Sequence, residues 1–149
     1  MYRVNAGWVT LEVALASLPN PIDAGVIAEI SKKLGGSVIG LPWDNVSPCS
    51  LALAYLYMLE DTELGSRVKS KPILLLMNLL GLSQVRDVVE AVRECRAIAA
   101  VGNMGEARVA VVEALRELDI KEPSIVDVGG VECTAEELEK VTLPRVERL

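Results

Sequence analysis

Side chains that could make or break bonds are few in this chain and poorly placed for it. Histidine is absent from all 149 residues. That removes the commonest general base, the usual partner of a Ser or Cys nucleophile and the commonest metal ligand. Cys49, Cys95 and Cys133 are odd in number, widely spaced and without a Cys-x-x-Cys pair. Neither a disulfide framework nor a zinc site is expected from them, and they read as buried small apolar residues. Glu60-Asp61 with Glu63, and Glu136-Glu137 with Glu139, would need to face a shared site to shift each other's pKa values or hold a metal. The first cluster ends a helical pattern and the second opens one, where acids suit the dipole, so both are expected to be solvated faces. No catalytic residue, metal site or cofactor is expected, and the chain does not read as an enzyme.

Two places could instead hold a phosphate. Gly102-Asn103-Met104-Gly105 turns from a strand pattern into a helical one, where backbone amides can cradle an anion. It lacks the Gly-x-Gly-x-x-Gly spacing and has no Gly-Lys-Ser/Thr, so a bare connecting loop is the simpler reading. A nucleotide-binding or other small-molecule regulatory domain built on this turn stays as an alternative. The second place is Arg67-Val68-Lys69-Ser70-Lys71, three cations in five residues just before an apolar helical run. Residues 64–96 carry a local balance of +3 in a chain of net charge −6. Because exposed charges reach only about 8 Å at physiological salt, an acidic protein can still present one phosphate-attracting face. Aromatic stacking platforms are scarce: Trp8, Trp43, Tyr2, Tyr55 and Tyr57, with no Phe.

The elements that must position these residues follow from periodicity. Val9, Leu11, Val13 and Leu15 alternate with Thr10, Glu12, Ala14 and Ala16, the period-two pattern of a strand with one strongly apolar face. Tyr2 to Ala6 is expected to pair with it. After Pro19-Asn20-Pro21 a helix is expected over about 22–34, closed by Lys32, Lys33 and Gly35-Gly36. Ser37 to Leu41 reads as a short buried strand. Ser47-Pro48 opens an apolar helix over about 48–61, and a second covers 71–80 with Asn78 its one polar residue within the apolar run. Ser83 is expected to cap a short helix carrying Val85, Val88, Val89 and Val92. Ala97 to Val101 is a buried strand, followed by a helix to about 118 with Ala107, Val111, Leu115 and Leu118 inward. Ser124 to Val128 reads as the last strand and Gly129-Gly130 as a turn. Thr134 with Glu137 forms a capping box for a final helix that Pro144 ends.

This length suits one domain with one core, and clustered helices between strands point to α+β: a single domain over residues 1–149 with a small mixed sheet packed with several helices. Apolar residues make up 51%, more than such an interior needs, which implies a partner surface. The longest clean apolar runs are near ten residues, short of the roughly 20 that span a bilayer, and residues 1–20 lack a secretory signal pattern. A cytoplasmic location with no membrane partner is expected.

From Ser70 to Val92 the sequence reads SKPILLLMNLLGLSQVRDVVEAV. This resembles the central signature of the small kinase-binding subunit of the KEOPS complex, of archaeal type, with Ser70, Gly81, Gln84 and Val85 on the family's Ser, apolar helix and Gly-x-x-Gln-Ile/Val pattern. The strand Ala97 to Gly102, the helix ending at Leu118 and the closing Arg145-Val146-Glu147-Arg148-Leu149 follow in the family's order. The resemblance spans about residues 48–149. Ser83 stands where the family usually has a basic residue, and Leu74 where it usually has an acid. What the resemblance implies is a non-catalytic accessory subunit of the assembly that installs threonylcarbamoyl-adenosine in tRNA. Such a subunit binds the complex's small atypical kinase/ATPase and recruits tRNA by its 3′ CCA end. On that footing Lys69, Lys71, Gln84 and Arg86 are the expected RNA contacts, and Leu143, Val146 and Leu149, apolar at three-residue spacing, the expected kinase-docking residues. A homodimeric structural protein with no RNA role is the remaining alternative.

Overall fold

The alternation that starts at Val9 becomes the central strand of a five-stranded sheet in a computed structural model that describes residues 2–6, 9–43, 46–65, 67–68, 70–103, 105–120 and 128–132. The strands are β1 (Tyr2–Ala6), β2 (Val9–Asp23), β3 (Ile39–Leu41), β4 (Glu94–Gly102) and β5 (Val128–Glu132), in the spatial order β3-β4-β2-β1-β5. The helices are α1 (Ala24–Lys33), α2 (Pro48–Glu63), α3 (Lys71–Leu80), α4 (Val85–Ala91) and α5 (Glu106–Glu117). β1 with β2, β2 with β4 and β3 with β4 are antiparallel, while β1 and β5 are parallel. The sheet is therefore mixed, and the fold is α+β.

Helices cover both faces of this sheet, which the expected single apolar face does not convey. Leu11 and Val13 of β2, with Ala97 and Ala99 of β4, pack among Leu51, Met58 and Leu75 of α2 and α3. Ala14 and Ala16, with Ile98 and Ala100, pack among Ile27 and Ile30 of α1 and Val111 and Leu115 of α5. The second face is lined mostly by alanine, and α5 meets it through Ala107, Ala110 and Ala114. Small residues on both sides bring helix and sheet backbones close.

Strand β2 runs further than its alternation suggests, through Pro19-Asn20-Pro21 to Asp23, because β4 is long enough to pair with it beyond a bulge: Ser17 faces Ala97, and Ile22 then faces Cys95. The first helix accordingly begins at Ala24 instead of 22. Asp23 caps it, accepting from the Gly25 amide at 2.7 Å, and Gly36, at a φ of 79°, helps close it by donating to the Ser31 carbonyl at 2.7 Å.

Helix α3 is apolar nearly all round because it is buried nearly all round: Leu74, Leu75, Leu76, Met77 and Asn78 are consecutive and all buried. Its polar exception, Asn78, donates to the Asp61 carboxylate of α2 at 3.0 Å and to the Leu74 carbonyl at 3.1 Å. Gly81 ends the helix in the left-handed region at a φ of 71°, and the chain turns by 75° into α4. No single helix among the described residues is long and apolar enough to cross a membrane. Gly129 and Gly130 lie within β5, where a turn was expected, at the point where its register with β1 shifts between Val128 and Val131. The expected strand residues 124–127 and the final helix lie outside the described residues.

Candidate functional site

The segment with the family-like pattern separates residues the fold uses from residues it leaves over. Ser70 caps α3, its hydroxyl accepting from the Ile73 amide at 3.5 Å, with Lys71 and Pro72 opening the first turn. Gly81 supplies the left-handed stop. Ser83, expected to cap α4, does not: the cap position is Gln84, with extended backbone and no side-chain capping bond. The Gln84 side-chain oxygen Oε1 instead accepts from Arg86 Nη2 at 3.0 Å, and both side chains are exposed. An amide and a guanidinium thus project together beyond the α3–α4 corner, and neither closes a helix end.

Lys71 is also exposed, but it stands at the opposite end of α3. Ten residues of helix rise about 15 Å, so Lys71 and the Gln84–Arg86 pair do not form one contact cluster. Lys69 and the expected kinase-docking residues Leu143, Val146 and Leu149 lie outside the described residues.

Gly102 to Gly105 does hold an anion, but the anion belongs to the protein. Glu12, only 1% exposed, accepts from the Gly105 amide through Oε2 at 2.6 Å and from the Arg108 amide through Oε1 at 2.8 Å. Helix α5 has no side-chain cap of its own from the cap residue Gly105, and the carboxylate from β2 does that work across 93 residues of sequence. Glu106 reaches back to the Asn103 amide at 3.2 Å. Donors that could cradle a phosphate are engaged by two glutamates. The sequence offered a usable signal: an acid on the same strand face as Ala14 and Ala16, a face small enough to pack closely, needs a buried partner.

The β3 edge holds a second feature that periodicity did not reveal. There α1 from one layer and α3 and α4 from the other overhang the short edge strand, leaving a groove of about 710 Å³. Its walls include Ile27, Val38, Ile73, Leu76, Val88 and Val92, and Lys32, Ser70 and Lys71 also line it. Gly40 makes the strand fit beneath: an added Cβ would run into the Cys95 sulfur and come within 3.1 Å of Ile27 Cγ2. Burial, with the Asp23 charge adding to it, pushes the Cys95 thiol up to about 11. Burial likewise raises the Tyr55 phenol above its ordinary value, with Glu106 contributing.

Cys49 corrects the reading of all three cysteines as simple core residues. It is buried, but it is disulfide-bonded, with its partner outside the described residues. Spacing along the sequence was no guide, because folding, not proximity in the chain, decides which sulfurs meet. Among the described residues no group of three His, Cys, Asp or Glu could hold a metal ion. Asp61 is held by Asn78, while Glu60 and Glu63 are exposed at the end of α2; Glu136, Glu137 and Glu139 lie outside the described residues. The chain matches no protein-family model and no curated protein sequence.

Proposed function

We propose that this chain is a non-catalytic accessory subunit of a KEOPS-type tRNA-modifying assembly, binding that complex's small kinase/ATPase and helping to recruit tRNA by its 3′ end. The observation that carries the reading is the Gln84–Arg86 pair. Ser70 and Gly81 have structural work that explains their presence, whereas Gln84 occupies a cap position without capping and spends its side chain on an exposed arginine. An amide beside a guanidinium offers donors and acceptors to a base edge or a phosphate of single-stranded RNA. Lys71, exposed at the far end of α3, adds a separate positive charge to the same segment.

Filter binding to tRNA at several salt concentrations tests this. Lys71→Glu is expected to weaken binding across sequences and lower the salt slope by about 1, as loss of one phosphate contact does. Gln84→Ala is expected to weaken binding to tRNA with an intact 3′ CCA end more than to tRNA lacking it. Unchanged affinity and slope in both variants would remove the RNA role. Failure of the full chain to co-purify with a KEOPS kinase would remove the assembly role. A nucleotide regulator on the Gly102–Gly105 turn is disfavoured, since Glu12 holds the amides of Gly105 and Arg108.

A further inference from the structure

We infer that the groove at the β3 edge binds a small amphipathic anion: a drug-sized apolar body carrying a single carboxylate or comparable anionic group. Its volume of about 710 Å³ falls within the range of roughly 300–1,000 Å³ typical of small-ligand sites. The charge on its lining departs from that of the chain. Acids outnumber bases 21 to 15 overall, yet none of the twenty described lining residues is acidic, and two are lysines.

Lys32 and Lys71 line the groove from the C-terminal turn of α1 and the first turn of α3, and both are exposed. Neither makes an ion pair among the described residues, in contrast to the neighbouring Lys33, which reaches Glu117 at 3.6 Å. The two elements meet closely there: a Cβ on Gly36 would lie 3.5 Å from Pro72 Cδ. Two cations at the rim of an apolar cleft suit a ligand with one anionic end and an apolar remainder.

The interior disfavours a nucleobase. Ser31 donates its hydroxyl to the Val38 carbonyl at 2.6 Å, and the Ser70 hydroxyl caps α3. Each of the two lining hydroxyls already has one partner, so the lining offers few side-chain groups to read the polar edge of a base, and an apolar body needs none of them. This inference does not depend on the RNA reading, with which it shares only Lys71.

Titration of the full chain with decanoate, followed by methyl NMR of Ile27, Ile39 and Ile73, is the direct test, kept below the concentration at which decanoate self-associates. Saturable shifts confined to the groove are expected. Acetate, which has the charge alone, should produce none, and 1-decanol, which has the chain alone, should bind about tenfold more weakly. Lys32→Glu with Lys71→Glu should weaken decanoate by about tenfold or more. Ala28→Trp, at an exposed lining position, should block it while leaving the core untouched. Arg86→Glu reverses a charge in the proposed RNA contact but lies outside the groove, so it should leave decanoate binding as it is. Decanol binding as tightly as decanoate, indifference to the lysine reversals, shifts scattered over the whole protein, or adenosine monophosphate binding better than decanoate would each overturn the proposal, the last in favour of a nucleotide site.

Discussion

Glu12 is the side chain whose surroundings carry the clearest energetic consequence. Its two oxygens satisfy amides at the N-terminus of α5 from inside the protein, where the helix dipole also favours negative charge. Replacing it by Gln keeps the shape but removes the charge and turns one acceptor into a donor facing donors. The expected cost is about 1–3 kcal/mol, measured by denaturant unfolding with an unchanged m-value. Glu12→Ala goes further and vacates the anion position. Phosphate should then raise the melting temperature of that variant more than that of the parent, since only the variant has donors left to bind it. Equal phosphate responses would show that the Glu12 carboxylate is not what fills this cradle. The strand holding Glu12 was legible in the sequence because alternation is a local signal. The role of Glu12 was not, because its partners lie more than ninety residues away and only the sheet brings them together.

At the scale of elements, local signals located most helices well and failed where tertiary pairing overrode them. Helix α3 was readable to the residue because Ser70-Lys71-Pro72 starts it and Gly81 stops it, and both signals are local. Residues 22 and 23 look like a helix start after a proline, but the ladder with β4 draws them into β2. The groove was invisible for the same reason: its walls come from five separate elements. Gly40 shows how closely those elements approach. Gly40→Ala is expected to destabilise by about 1–3 kcal/mol through overpacking, because the new methyl strikes the Cys95 sulfur at a site closed by α1. Adding Cys95→Ala removes the struck atom, so the double variant should recover much of the loss, giving a non-additive cycle. Strict additivity would mean that β3 and β4 separate to admit the methyl without involving Cys95.

For the molecule as a whole, the cysteines set a stability that depends on both redox state and pH. Cys49 is disulfide-bonded and Cys95 is free in a chain of three cysteines. In denaturant the oxidised protein should therefore titrate one thiol, and after reduction three. Reduction should lower the unfolding free energy by about 2–4 kcal/mol, as loss of a loop-closing link does. On the alkaline limb Cys95 acts first, and the raised Tyr55 phenol joins it above pH 10. The Cys95 thiol is raised from an ordinary value of 9 to about 11 in the fold, so below pH 9 both folded and unfolded chains keep the proton and stability does not depend on this group. Between pH 9 and 11 the unfolded chain releases the proton first, the folded state then holds more protons, and stability falls as pH rises. Cys95→Ala should make the fall that begins at pH 9 shallower while leaving the slope below pH 9 unchanged, as read from unfolding midpoints of the reduced protein so that thiol–disulfide exchange does not intrude. A parent curve already flat from pH 9 to 11 would mean that the Cys95 thiol ionises in the fold as readily as in water, and the packing of Gly40 and Ile27 over it would have to be looser than the structure has it.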